Sequence, residues 1–194
     1  MSAHFVMWLC PTSIMTMMKP PEQIETQRLI LRTPRAEDAS AMFTGWAQDV
    51  EVTRYLTWRP HTSLEQSQAI VANTISVWKN ETRFPYMIAL KENSQVIGMI
   101  DPRIEGPKVG VGYVIARAYW GNGYMPEATR AIIEWAFQQS TIYRVYATTD
   151  VENIASQRVL EKVGMQREGL LRKYIIHPNI SYIPRDSYMY VITK

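Results

Sequence analysis

Two adjacent segments in the middle of the chain carry different hydrophobic periods. Over residues 109–115 the side chains alternate between two faces, which predicts a β-strand. One face of that strand carries Val109, Val111, Tyr113 and Ile115. From residue 128 to residue 136 apolar positions recur at helical spacing, and Pro126 suits the first turn of a helix. The pattern therefore predicts a strand and a helix, joined by a short turn that contains Gly121 and Gly123.

A strand, a glycine-containing turn and a helix in this order can hold an anion. The first N–H groups of a helix have no partner within it, and the helix dipole adds partial positive charge at the same end. Glycine lets a bulky phosphate approach the backbone. The turn lacks the third glycine of the dinucleotide fingerprint, and Tyr124 and Met125 stand where a P-loop needs Lys and Ser or Thr. An ordinary glycine-containing connection also fits this pattern.

The rest of the chain alternates between predicted strands and helices. Further strands are predicted over residues 24–32, 86–91, 96–104, 142–149, 169–176 and 187–192, and further helices over residues 36–46, 63–78 and 154–163. The order is β-α-α-β-β-β-α-β-α-β-β, without an internal repeat or a linker rich in Pro, Gly and Ser. Strands and helices mixed in one run predict a single α/β domain with a mixed sheet over residues 24–194.

Composition and charge narrow the class of protein. Hydrophobic residues make up 46% of the chain and charged residues 20%, as in a soluble globular protein. The net charge of +3 suits a polyanionic small ligand but is too small to indicate nucleic acid. Cys10 is the one cysteine and the three histidines are far apart, so we expect no disulfide and no metal site. These features indicate a reducing, cytoplasmic setting.

The start of the chain differs from the rest. Residues 1–18 contain no charged side chain and carry five of the eleven methionines. The apolar run at residues 5–9 is short and Pro11 follows soon after, so a signal peptide is not indicated, and no segment reaches the roughly 18 apolar residues of a membrane span. We expect residues 1–23 to be an N-terminal arm that is flexible or packs on a neighbouring surface, which leaves a homodimer open.

The turn resembles the pyrophosphate loop of the GNAT acetyltransferases. Residues 119–128 read YWGNGYMPEA, and the family pattern is Gln/Arg-x-x-Gly-x-Gly/Ala. Gly123 matches the fourth position, whereas Trp120 and Met125 depart from the first and the last. The resemblance is nearest to the branch with the RimJ/RimL-type ribosomal-protein N-terminal acetyltransferases.

A second segment strengthens this resemblance. Residues 150–165 read DVENIASQRVLEKVGM, similar to the branch pattern Asp-x-x-Asn-x-x-Ser-x-x-Val-Leu-Glu-Lys-x-Gly-Phe. Residues 24–32, 61–65 and 185–186 also match segments of the branch in the expected order. The chain is identified as a member of the GNAT superfamily on this joint match over residues 24–194. The resemblance implies a mixed, mostly antiparallel sheet flanked by helices.

The resemblance also implies acetyl-CoA as cosubstrate and assigns a cofactor site. The pyrophosphate would lie on the N–H groups of Gly121, Asn122, Gly123, Tyr124 and Met125, and Trp120, at the first position of the motif, belongs to the same cofactor site. The pantetheine arm would pair with a bulged strand through the backbone of Tyr113, Val114 and Ile115. Asn153 would bond the pantetheine arm or only cap the following helix. Lys162 would reach the 3′-phosphate or only face solvent.

The resemblance implies Ser156 as the residue that assists departure of CoA. Many relatives use a Tyr further along this helix, and Leu160 stands there. Alternatively, Ser156 has only a structural role, as a serine near the start of a helix that hydrogen-bonds to the backbone. No general base is legible, because Gly110 and Ile175 occupy the two usual Glu positions; Asp101, Glu51 and Tyr86 remain weaker candidates.

Three function classes follow from the sequence. The first is acetylation of a protein N-terminal α-amine, with a ribosomal protein as archetype. The second is acetylation of a small amine such as an antibiotic or a polyamine. The third is a non-catalytic acyl-CoA-binding module, which the missing carboxylates permit. No pattern indicates nucleic acid or a membrane as partner.

Overall fold

This computed structural model describes residues 19–194, so most of the predicted arm lies outside the described residues. Eight strands form one sheet in the order β1-β2-β3-β4-β5-β6-β8-β7. The strands are β1 Gln23–Glu25, β2 Leu29–Arg32, β3 Tyr86–Leu90, β4 Val96–Glu105, β5 Lys108–Ile115, β6 Arg144–Asp150, β7 Gln166–His177 and β8 Ser181–Thr193. The α-helices are α1 Asp38–Met42, α2 Val50–Thr53, α3 Leu64–Lys79, α4 Tyr124–Gln138 and α5 Ile154–Lys162.

The sheet is antiparallel except between its fifth and sixth strands, β5 and β6. β5 and β6 run parallel, and they share only the register pairs Lys108↔Arg144, Val109↔Val145 and Gly110↔Tyr146. β5 continues to Ile115 and β6 continues to Asp150, and no further pair joins them in the described chain. The far halves of these strands therefore splay apart, and they leave a gap in the middle of the sheet.

Helices cover both faces of the sheet. On one face α4 packs its stripe of Ala128 and Ile132 against Val109 and Val145, and all four side chains are fully buried. On the other face α1 and α3 pack with Trp46 and its neighbours in a second cluster. These two layers confirm the predicted α/β class and the mostly antiparallel sheet.

The predicted single strand over residues 24–32 is wrong, because the structure contains two strands there. β1 and β2 form an antiparallel hairpin with the pair Glu25↔Ile30. Thr26 closes the turn: its N–H donates to the Leu29 carbonyl at 3.0 Å, and its hydroxyl accepts the Leu29 N–H at 2.9 Å. The local side-chain hydrogen bonds, rather than glycine or proline, turn the chain here.

The first helical segment and the connection after it also differ from the predicted pattern. The predicted helix over residues 36–46 is regular only as far as Met42, and a π-helical turn, Phe43–Ala47, follows it. The short helix α2 was not predicted. The remaining elements agree in kind and order with the sequence pattern.

Residues just before the first strand contact the domain. Pro20 is buried, and the Pro21 carbonyl accepts a hydrogen bond from Tyr86 Oη at 2.5 Å. The Glu22 carbonyl accepts the Thr33 N–H at 3.0 Å. Of the helices within residues 19–194, none is both long enough and apolar enough to cross a membrane.

The close contact of β4 with β5 generates a test of the fold. A Cβ on Gly98 would lie 2.4 Å from the Val114 carbonyl oxygen and 3.0 Å from Ile115 Cα, both backbone atoms. We expect Gly98→Ala to lower the free energy of unfolding by about 1–3 kcal/mol, because the strands must move apart. Urea denaturation measures it.

Gly169→Ala is the matched control for this test. A Cβ on Gly169 meets nothing within 4 Å in the described chain, so its effect should stay within about 0.5 kcal/mol. Equal stability of the two variants would contradict the close approach of β4 and β5.

Candidate active site

The gap in the sheet exposes the far half of β5. Tyr113 and Ile115 pack against the core on the α4 face, and Val114 packs on the α1 face. Backbone groups of these three residues lie beyond the last β5–β6 pair, at the place implied for the pantetheine arm. The expected bulge is not found on the β4 side, because the eight β4–β5 pairs follow one another without a register shift. The gap arises from splay against β6.

The turn after β5 forms an open cradle at the start of α4. Gly121 and Gly123 have φ angles of +80° and +79°, in the left-handed region that favours glycine. A Cβ on Gly121 would meet nothing within 4 Å among the described residues. Within that same part of the chain, no acceptor takes the N–H groups of residues 121–125. These groups fit a pyrophosphate, and Pro126 contributes no N–H.

Trp120 fixes the start of this cradle. Its Nε1 donates to the Ile115 carbonyl at 3.0 Å, while nearly half of the residue remains exposed. The Asn122 side chain donates to the Trp120 carbonyl at 3.1 Å. Trp120 therefore ties the turn to the end of β5, in the place where the family pattern has Gln or Arg.

A second set of hydrogen bonds ties the cradle to the β1–β2 turn. Glu127, in the first turn of α4, accepts from Thr26 Oγ1 at 2.6 Å and from the Arg28 N–H at 2.8 Å. The Arg28 guanidinium pairs with the same carboxylate at 2.7 Å and donates to the Asn122 carbonyl at 3.0 Å. It also lies 4.5 Å from the Tyr124 ring centroid. We call this set the Arg28–Glu127 pin.

Electrostatics keeps the pin charged. Burial opposes ionisation of Glu127, but the hydrogen bonds from Thr26 and Arg28 and the charge of Arg28 outweigh it, so the pKa of Glu127 lies below its usual value. No sequence pattern predicts this pin. The match of residues 24–32 to the family was its only signal, and it gave no partner for Arg28.

The first turn of α5 carries Asn153 and Ser156. Asn153 Oδ1 accepts the Ser156 N–H at 3.2 Å, so Asn153 caps the helix, and its amide N–H groups remain available for a ligand. Ser156 Oγ lies 2.9 Å from Tyr113 Oη, which spans from β5 to the helix. Leu160, at the usual Tyr position, is fully buried. The structure thus places Tyr113, Asn153 and Ser156 together.

Lys162 lies apart from that group. It is exposed in the last turn of α5, six residues after Ser156, which is about 9 Å along a helix axis. The Lys162 carbonyl accepts from Arg130 Nη2 at 3.2 Å, which ties the end of α5 to α4. The Lys162 side chain is exposed to solvent, and its contact with a 3′-phosphate stays a prediction.

Of the carboxylates considered as bases, one is engaged in ion pairs and the other is exposed. Asp101 is buried and pairs with Arg83 at 2.5 Å and with Arg103 at 3.0 Å. Glu51 is exposed on α2. At Gly110 a Cβ would lie 2.8 Å from Tyr146 Cζ, so the tyrosine ring fills the space that a family Glu would use.

A buried polar cluster at the end of β6 escaped the sequence analysis. Asp150 accepts from Arg185 Nε at 2.6 Å and Nη2 at 3.1 Å, and its Oδ2 lies 3.6 Å from His177 Nε2. Burial lowers the pKa of His177, although Asp150 opposes that effect, so His177 is neutral at pH 7. Tyr55 meets the His177 ring edge-on at 6.1 Å. Four separate segments contribute these residues, and no local spacing links them.

The described chain contains no set of side chains suited to binding a metal ion. Within residues 19–194, no group of three or more His, Cys, Asp and Glu side chains could hold an ion. The residues that the site does offer are backbone N–H groups, amides and hydroxyls. Those groups fit a phosphate-bearing, acyl-carrying ligand better than a cation.

Comparison with known proteins is consistent with this geometry. A family model described as "Acetyltransferase (GNAT) domain" matches residues 28–166. An uncharacterized N-acetyltransferase, p20 of Bacillus licheniformis, is 34% identical over 160 residues, which cover 79% of this chain and 87% of that protein.

Two solved structures share the fold. The microcin C7 self-immunity acetyltransferase MccE, in complex with acetyl-CoA and AMP, superposes with a TM-score of 0.79 at 18% identity over 91% of this chain and 98% of that one. RimL, a ribosomal L7/L12 α-N-protein acetyltransferase in complex with coenzyme A, superposes with a TM-score of 0.77 at 20% identity. The match covers 89% of this chain and 98% of that one. At these identities the likeness is one of fold.

The Arg28–Glu127 pin generates a test of cofactor binding. We expect Glu127→Gln to weaken acetyl-CoA binding about 3–10-fold, because the cradle loses the charged anchor that orients it. Isothermal titration calorimetry measures the dissociation constant.

Glu134→Gln, on an exposed position of the same helix, makes the same charge change and should leave binding within about 2-fold. The direction of the change in acetyl-CoA affinity separates loss of the anchor from loss of negative charge. If charge alone mattered, losing a carboxylate near the cradle would tighten binding of a polyanion. Tighter binding by Glu127→Gln would therefore contradict the pin.

Proposed function

The chain belongs to the GNAT family of acetyl-CoA-dependent N-acetyltransferases, and from this premise we propose that its acceptor is the N-terminal α-amine of a protein. The acidic side chains next to the carboxyl ends of β5 and β6 carry the proposal. Asp49 pairs with Arg117 at 2.9 Å, and Arg185 pairs with both Asp150 and Glu152. A polyamine or an aminoglycoside needs free carboxylates, whereas these are neutralised by arginine.

The exposed aromatic and apolar side chains near these strand ends also favour a peptide. Tyr182 and Ile183 on the β7–β8 hairpin are 70% and 65% exposed, and Arg59 lies 5.4 Å from the Tyr182 ring centroid. An open surface of this kind suits an extended chain better than a small molecule. The resemblance to the RimJ/RimL branch supports the same acceptor class, and a ribosomal-protein acceptor would place the reaction in the cytoplasm.

The cofactor is held by backbone in this proposal. N–H groups of residues 121–125 bind the pyrophosphate, and the Arg28–Glu127 pin keeps them oriented. Backbone groups of Tyr113 and Ile115 bind the pantetheine arm in the gap, and the Asn153 amide bonds the same arm. Lys162 approaches the 3′-phosphate from the exposed end of α5. When bound, acetyl-CoA supplies a thioester whose carbonyl carbon accepts the amine nitrogen.

The protein groups act on the two ends of the transfer. A backbone N–H of the free half of β5 stabilises negative charge on the carbonyl oxygen as the amine attacks. Ser156 Oγ–H donates a hydrogen bond to sulfur as the C–S bond breaks. The amine loses its proton to water. An N-terminal α-amine has a pKa of about 7.7–8.0, so a useful fraction is neutral at pH 7 without a dedicated base.

A screen for acetyl-CoA-dependent thiol release tests the acceptor class. We expect release with short peptides that carry a free N-terminal Ala or Ser, and little with spermidine or an aminoglycoside, because the acids at the site are already paired. The same peptides with a blocked N-terminus control for side-chain amines. Faster release with a small polyamine would contradict the proposed acceptor, and binding of acetyl-CoA without release for any amine would indicate a non-catalytic module.

Ser156→Ala tests the leaving-group role. We expect kcat for the best peptide to fall about 10–100-fold, because the lost bond strengthens as sulfur gains charge, while acetyl-CoA affinity stays nearly unchanged. Ser140→Ala, at an exposed position after α4, is the matched control. Unchanged turnover would remove Ser156 from the mechanism. A larger loss on Asp101→Asn, with binding intact, would instead identify a carboxylate base.

A further inference from the structure

One hydroxyl in the gap is not explained by cofactor binding. Tyr113 contributes its backbone to β5, but its side chain leaves the strand and reaches the first turn of α5. Tyr113 Oη lies 2.9 Å from Ser156 Oγ and 3.3 Å from the Ser156 carbonyl oxygen. Within the described chain these are the hydrogen bonds that this phenol makes. The phenol therefore contacts the residue proposed to face the leaving sulfur.

The environment keeps this phenol protonated. Burial raises the pKa of Tyr113, and the hydrogen bond with Ser156 opposes that rise only in part. Tyr113 is therefore protonated at neutral pH and can donate a hydrogen bond. It can give its bond to either of the two Ser156 oxygens within reach.

The position of the phenol matters because α5 offers no hydroxyl further along. Leu160, one turn after Ser156, is fully buried and has no group to donate. The helix itself supplies no further hydroxyl, and β5 brings the Tyr113 hydroxyl to its first turn instead.

We propose that Tyr113 is a positioning residue that donates to Ser156 Oγ and thereby directs the Ser156 proton towards the leaving sulfur. A serine hydroxyl has one proton. When its oxygen accepts from Tyr113, that proton has to point elsewhere, and the developing thiolate is the acceptor that the reaction creates. Negative charge on sulfur polarises both bonds in the chain, so each strengthens the other.

In this step neither Ser156 nor Tyr113 gives up its proton. The C–N bond forms, the C–S bond breaks and its electron pair stays on sulfur. The hydrogen bonds from Ser156 and Tyr113 shorten. The amine proton passes to water, and the thiolate is protonated from water after it leaves.

This inference deepens the proposed function and rests on it. A purely packing role for Tyr113 predicts different behaviour, since the ring would act on cofactor binding or on stability, independently of Ser156. The distinction is measurable because Phe keeps the ring and removes only the hydroxyl.

The experiment is a double-mutant cycle on thiol release from acetyl-CoA with the best peptide, using Tyr113→Phe, Ser156→Ala and both together. We expect Tyr113→Phe alone to lower kcat about 3–10-fold, with the acetyl-CoA dissociation constant within about 2-fold. In the Ser156→Ala background the same change should lower kcat by less than about 2-fold, because the hydrogen bond between Tyr113 and Ser156 Oγ is already lost. Ser156→Thr, which keeps the hydroxyl, should restore the dependence on Tyr113.

Tyr143→Phe, at a 60% exposed position before β6, is the control and should leave kcat unchanged. Equal losses from Tyr113→Phe in both backgrounds, or a loss confined to acetyl-CoA binding, would overturn the inference while the proposed function stands. Absence of thiol release from the unaltered chain with every amine would overturn the proposed function and this inference with it. Thermal melts of each variant show whether a loss reflects unfolding.

Discussion

The parting of β5 from β6 is the constraint on which the rest of this structure depends. Three parallel register pairs hold the strands together, and every candidate cofactor contact lies beyond the last of them. Backbone N–H and C=O groups must find partners when they are buried, so a splayed pair of strands favours a ligand that can bond like a strand. The pantetheine arm has amide groups of that kind. In the proposed complex, the gap would hold the pantetheine arm of the cosubstrate.

The two helix starts that flank this gap are fixed by distant parts of the chain. The Arg28–Glu127 pin joins residues 99 positions apart and holds the start of α4 against the β1–β2 turn. Asn153 and Tyr113 hold the start of α5, the second by a contact across 43 positions. The cradle offers backbone N–H groups to a ligand, and these groups cannot adjust their own positions. Its precision therefore comes from the groups that anchor both ends of it.

Ion pairs and the β7–β8 hairpin line the other end of the gap. Asn179 donates to the Thr53 carbonyl at 2.6 Å and to the Trp58 carbonyl at 2.8 Å, which ties the hairpin to the connection after α2. Asp150, Arg185 and His177 lie behind this contact. Because burial keeps His177 neutral, the charge of Asp150 is balanced by Arg185. A site with internally balanced charge selects its acceptor by shape and backbone contacts more than by net charge.

The sequence alone determined the features that depend on neighbours along the chain. The strand, turn and helix at residues 109–138 follow from hydrophobic period and glycine placement, and the cap at Asn153 follows from its position before α5. Only the tertiary structure decided the features that depend on register and distant contacts. Alternation over residues 24–32 reads as one strand, but Thr26 and the remote Glu127 fold it into a hairpin without glycine or proline. The β5–β6 splay, the Tyr113–Ser156 contact and the Asp150 cluster have no local signature, because each arises where separate elements meet.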